Sequence, residues 1–132
     1  MWLSISVAID YISSLWFAGN KEYLIENEHS VIFAYVMEYG IFIPYLIFIM
    51  AVYFMGSYIA LGALSGHRLF PVACVSVVLV AISHTFGGLS WYFRNDMYSG
   101  IIIIIPQIAI ILMILCLVVV IMDSSASDDS KI

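Results

Sequence analysis

Four polar side chains stand inside long apolar runs of this chain: Asp10, Glu38, His84 and Gln107. Two carboxylates and an imidazole can bind a divalent cation, pair as ions, or pass a proton between them. An amide can add a neutral oxygen ligand. In lipid such groups are costly: an acid near mid-membrane costs about 2.5–3.5 kcal/mol on insertion scales. An intramembrane ionisable residue therefore points to a functional site by default.

Apolar segments must position these groups. The chain has 132 residues, 64% of them hydrophobic and 10% charged, against about 25% charged in soluble domains. A soluble fold of this length cannot hide so much apolar surface, so its solvent is lipid. The expected fold is all-α: a polytopic bundle of four transmembrane spans, with both termini on the same side of the cell membrane. The spans are expected at 1–19, 31–64, 69–93 and 101–122, within one domain over 1–122. An acidic, Ser-rich tail follows over 123–132. Residue 1 opens no basic n-region, and Asp10 interrupts what would be the apolar core of a signal peptide, so the first helix is expected to be retained.

The segment 31–64 is too long for one straight span and too short for two. At about 1.5 Å per residue it reaches roughly 51 Å, against a hydrocarbon core of about 30 Å. Gly40 and Pro44 mark a kink, or the first turns form an interfacial piece. Pro71 suits the first turn of the third segment. Pro106 removes a backbone donor from the fourth and frees a carbonyl one turn earlier, close to Gln107.

Counting from the face that carries loops 20–30 and 94–100, Asp10, Glu38, His84 and Gln107 each lie about 7–10 residues down their segments, roughly 10–15 Å deep. The expectation is one polar layer with a contribution from every span. Asp10, Glu38 and His84 are its candidate metal ligands and Gln107 is auxiliary. A divalent metal ion is the cofactor such a layer would take. Ser6, Asp10, Ser13 and Ser14 share one helical face, as do Ser76, Val80, Ser83, His84, Gly87 and Trp91. Ser83 and Gly87 form a small-xxx-small pair that lets another helix approach closely. Tyr35, Glu38, Tyr39, Phe42 and Tyr45 make an aromatic stripe beside the layer.

Other features carry less. Glu26, Glu28 and His29 hold metal-ligand types without a recognised zinc spacing. Gly62 and Gly66 have helix-packing spacing, and Gly56 and Ala60 extend a small-residue face suited to the third span or to a second copy. Cys74 and Cys116 fall near the same membrane face and read as buried thiols. Net charge is −5. The four basic residues, Lys21, Arg68, Arg94 and Lys131, are scattered two to each face, so the positive-inside rule is tied. No basic patch exists for nucleic acid.

No nucleophile elbow, P-loop, HExxH, CxxC or dinucleotide fingerprint is present, so no catalytic residues are assigned and an enzyme is the third reading, behind two non-catalytic ones. A metal-dependent hydrolase would need three ligands meeting at one point with an open fourth position. The function expected is a small integral membrane protein whose polar layer binds a cation or relays protons. The alternative is an accessory subunit, in a homo-oligomer or a larger membrane complex, whose layer only holds helices together.

Asp10 in the first helix and Glu26-Asn27 in the following loop resemble a family of small, mainly archaeal, four-helix membrane proteins of unknown function. That family shows an Asp in its first helix and an acidic-Asn-Pro motif before the second. Here Glu28-His29 follows Asn27, and the proline is missing. The resemblance implies the four-helix layout.

Overall fold

A computed structural model describes residues 1–28 and 30–129, with side chains described through residue 124. Among these residues the chain is helical throughout, without strands: α1 Trp2–Ala18, α2 Lys21–Asn27, α3 Val31–Glu38, α4 Phe42–Leu64, α5 Phe70–Gly87, α6 Ser90–Phe93 and α7 Asp96–Asp129. Three of them are long and apolar enough to cross a membrane: α4, α5 and α7 over Asp96–Ser124. This is the make-up of a multi-pass membrane protein. α1 is apolar but shorter, with 17 residues, or roughly 26 Å of helix. His29 and Lys131 lie outside the described residues, and so does the end of the expected tail. Its beginning is not a loop: the backbone of α7 runs helically past Asp123 to Asp129.

The excess length of 31–64 is resolved by a break. Gly40 adopts φ 70° after α3, in the left-handed region open to glycine. Its N–H donates to Met37 C=O, and the next N–H, of Ile41, donates to Val36 C=O. These paired bonds are those of a Schellman stop. A new helix then starts at Phe42. Pro44 falls in its first turn, where a missing N–H costs no helical bond. Ser30 begins α3 by accepting the Phe33 N–H on its hydroxyl at 3.2 Å, a side-chain N-cap. Segment 31–64 is therefore a short helix followed by a spanning one. The third segment also breaks, with α5 ending at Gly87 and α6 forming one further turn.

α5 is the axis of the bundle, in contact with α1, α4 and α7. Its buried positions are Ala73, Ser76, Val80, Ala81 and Ser83. Small side chains let neighbouring backbones come close, which is how helices associate where lipid removes the hydrophobic drive. Leu3, Val80, Ala81 and Ala109 form one core cluster across α1, α5 and α7. Leu64, Ala73 and Cys116 form a second at the end bearing the 65–69 turn. Both cysteines are free thiols. The third cluster, Ala18, Leu24 and Phe33, packs α2 and α3 over the end of α1, with Trp91 against it. A Cβ at Gly56, Gly62 or Gly66 would meet nothing within 4 Å, so the Gly62/Gly66 spacing packs no helix within the protomer.

Pro106 sits inside α7, and Ile102 C=O, one turn earlier, loses its helical donor to it. Ser83 of α5 supplies the replacement, its hydroxyl donating to Ile102 C=O at 2.6 Å. The freed carbonyl is thus an inter-helix acceptor. Ser83→Ala should orphan it at a cost of about 1–3 kcal/mol. Adding Pro106→Ala restores the backbone bond and should recover most of that loss. Unfolding of the two single variants and the double variant in detergent checks this. Additive losses would mean that Ser83 and Pro106 are not coupled through Ile102.

Candidate functional site

Asp10 lies in the middle of α1 and His84 in the last turn of α5. The α1–α5 contact brings them together: His84 Nδ1 is 2.7 Å from Asp10 Oδ2. The other ring nitrogen, Nε2, is 3.1 Å from the Tyr53 hydroxyl of α4. The Tyr53 and His84 rings meet edge to face at 5.1 Å. Three helices thus contribute to one hydrogen-bonded chain, Asp10–His84–Tyr53. With a carboxylate as its partner, Nδ1 carries a proton and donates it. Nε2 then accepts from Tyr53 when the ring is neutral and donates to it when the ring is protonated. The His84 and Asp10 side chains keep only 16% and 20% of their surface, enough to leave an edge open to the adjoining cleft.

Two glycines make this pairing fit. A Cβ at Gly87 would stand 2.5 Å from Asp10 Oδ1 and 2.8 Å from its Cγ. A Cβ at Gly88 would run into Ser13 Cβ and come within 2.9 Å of Asp10 C=O. The Gly87-Gly88 pair therefore clears space first for the carboxylate and then for the α1 backbone.

The chain opens on a cleft of about 540 Å³, within the range of small-molecule sites. The cleft lies between α1 and α7, over α5, with α2 and α6 at its rim. Asp10, His84, Tyr53 and Gln107 are among its walls, and Glu28, Arg94 and Asp96 stand toward its mouth. Arg94 has φ 47°, a left-handed backbone unusual for a residue other than glycine. Its N–H closes α6 onto Ser90 C=O. Its guanidinium sits 5.0 Å from the Tyr23 ring centroid, a cation–π contact that ties α2 to α6 at the rim. Beside the chain, the Tyr11 and Tyr45 hydroxyls are 3.0 Å apart.

Of the four sequence candidates, the structure joins Asp10 to His84 and places Gln107, exposed, on the wall of the same cleft. Glu38 is elsewhere. It is exposed at the last position of α3, where its backbone C=O accepts from Lys21 Nζ at 3.5 Å. The break at Gly40 is the reason: counting depth along 31–64 presumed a continuous span. Tyr35 and Tyr39 follow Glu38 out, their rings 4.3 Å apart on the exposed side. Among the described residues no group of three His, Cys, Asp or Glu side chains gathers where a metal could sit. Glu26 and Glu28 do not change this, and His29 lies outside the described residues.

Sequence reading passed over Tyr53 and Tyr11. The signal was the residue type, because a buried tyrosine hydroxyl needs a partner where phenylalanine would not. Which partner it finds depends on helix packing. The chain matches no protein-family model, no curated protein and no solved structure.

Proposed function

We propose that this is a small multi-pass protein of the cell membrane in which Asp10, His84 and Tyr53 form a proton-relay site reached from the cleft. The single observation that carries the reading is the hydrogen-bonded chain itself: both imidazole nitrogens of one histidine are engaged, one by a carboxylate and one by a phenol, at the wall of the cleft. A proton taken up at Nε2 makes an imidazolium that the Asp10 carboxylate stabilises. Release from Nδ1 toward Asp10 returns the ring to neutrality. Uptake brings the pair from one negative charge to none, and the transfer from Nδ1 to Asp10 keeps it neutral, which suits a low-dielectric site. Proton exchange accounts for this arrangement better than a resident metal. Among the described residues no third His, Cys, Asp or Glu joins Asp10 and His84, and structural and catalytic metal sites usually draw three or more protein ligands.

We further propose that α1 is the fourth span. Its length of roughly 26 Å lies near the hydrocarbon thickness, and its packing against α4 and α5 supports the reading. Four spans put both termini on one side, the layout implied by the resemblance to the small archaeal family.

The test is proton flux into proteoliposomes carrying a pH-sensitive dye. His84→Gln and Asp10→Asn keep volume but break the relay, and each should lower flux by about tenfold or more. Tyr53→Phe should lower it less, because water in the cleft can replace a hydroxyl. Folded variants with unchanged flux would leave the accessory-subunit reading standing. That reading draws on the same pair as a clasp between α1 and α5.

A further inference from the structure

A second cavity, of about 430 Å³, lies on the other side of Tyr53. It runs between α4 and α7, along Val52, Gly56, Ala60, Val80 and Met113. Its two serines place no polar demand on an occupant: Ser57 donates to Phe54 C=O at 3.0 Å and Ser76 to Val72 C=O at 3.0 Å, each within its own helix. The groove is therefore hydrocarbon in character, whereas the relay cleft mixes apolar walls with polar groups such as Asp10, Gln107 and Asp96. Tyr53 and Ile110 line both. The Tyr53 hydroxyl belongs to the polar side, and its ring packs on the Leu3–Val80–Ala109 cluster.

We propose that the two cavities together bind one amphiphile, a neutral ring head with hydrogen-bonding carbonyl or hydroxyl oxygens and a single hydrocarbon tail, the chemistry of a membrane quinone or quinol. The head lodges in the cleft beside the His84 ring, against Tyr53 and Gln107, which offer hydrogen-bonding atoms from two helices. The tail passes Ile110 into the groove. Charge selects a neutral head. Asp10, Glu28 and Asp96 line the cleft against one arginine, Arg94, whose guanidinium already lies over Tyr23. A phosphate would meet three carboxylates there. The groove contributes register more than affinity, because lipid chains are as apolar as its walls. This inference deepens the relay reading by naming what binds beside it, and rests on that reading only in taking Tyr53 as the outer end of the relay.

Gly56 supplies the test. A Cβ there meets nothing within 4 Å, so the first carbon of Gly56→Leu has room and the rest of the side chain takes up space in the groove that Gly56 lines, and leucine is the better helix former. Trp91 lines the cleft, so quenching of its fluorescence reports head binding, with Trp91→Phe as the blank. The probes are a decyl-tailed benzoquinone and its tail-less parent, titrated into the full chain in detergent. The decyl probe should quench saturably in the wild type and bind about tenfold more weakly to Gly56→Leu, while the tail-less probe binds both alike. Equal decyl affinity in the two proteins would overturn the proposal, and so would absence of saturable quenching. Displacement of the decyl probe by phosphatidylcholine at equal concentration would overturn the neutral head. Proton flux without added quinone reports the relay alone, and Gly56 lies outside it. Intact flux with failed quinone binding therefore refutes only this inference, and lost quinone binding cannot be mistaken for a failed relay.

Discussion

Replacing His84 by alanine is expected to destabilise the folded protein by about 3 kcal/mol, the lower part of the range for breaking a buried ion pair. The imidazole holds the only hydrogen bond shown to the Asp10 carboxylate among the described residues. Without it, Asp10 remains between α1 and α5 with its charge uncompensated, or protonated and short of a partner. The residual exposure of the pair keeps the cost from the top of the range. Asp10→Ala should cost less than His84→Ala, because a neutral histidine retains Tyr53 as a partner. The sharper expectation concerns the double variant. Asp10→Leu with His84→Leu removes both polar groups and offers apolar volume in their place, so it should be more stable than His84→Ala, and its proton flux should be abolished. Denaturant-induced unfolding in detergent measures the first, and dye-loaded liposomes the second. A double variant that is the least stable of the set would mean that the pair itself, rather than relief of a stranded charge, stabilises the fold.

Gly88→Ala carries the second large effect. The added carbon would meet Ser13 Cβ, Asp10 C=O and Ser14 N. Two of these are backbone atoms of α1, which no rotamer change can move, so α1 must shift away from α5. Overpacking of this kind costs about 1–3 kcal/mol, and here it also separates Asp10 from His84. Gly87→Ala is a different case, since the three atoms nearest its Cβ all belong to the Asp10 carboxylate. That carboxylate can rotate, at the expense of its bond to His84. Gly87→Ala is therefore expected to retain most of its stability and lose flux, whereas Gly88→Ala loses both. Thermal unfolding followed by circular dichroism separates the two. An unchanged midpoint for Gly88→Ala would refute the close approach of α1 to α5 on which the site depends.

Hydropathy and helix punctuation made much of this legible in the sequence. Apolar runs in a chain of 10% charged residues leave lipid-facing helices as the form that satisfies every backbone group. Asp10 and His84 stood out because ionisable groups are rare in such runs, and an equal depth count suggested they could meet. Ser83 and Gly87 suggested close approach because small residues let a neighbouring helix come near. Pro106 pointed to a freed carbonyl, and a carbonyl in lipid must find a donor.

Tertiary packing decided the rest. Glu38 lies outside the site because Gly40 turns left-handed and stops α3, and a depth count cannot see a change of helix. Tyr53 enters the site because α4 meets both α1 and α5, whereas along the chain it is one aromatic in an apolar run. Ser83 takes up the carbonyl freed by Pro106, since its donor depends on which helix lies against α7. Local sequence determines where helices form and which groups are costly in lipid. Which costly groups satisfy one another depends on the rotation of each helix about its axis, and that is fixed by contacts between residues distant in sequence, such as Gly88 on Ser13.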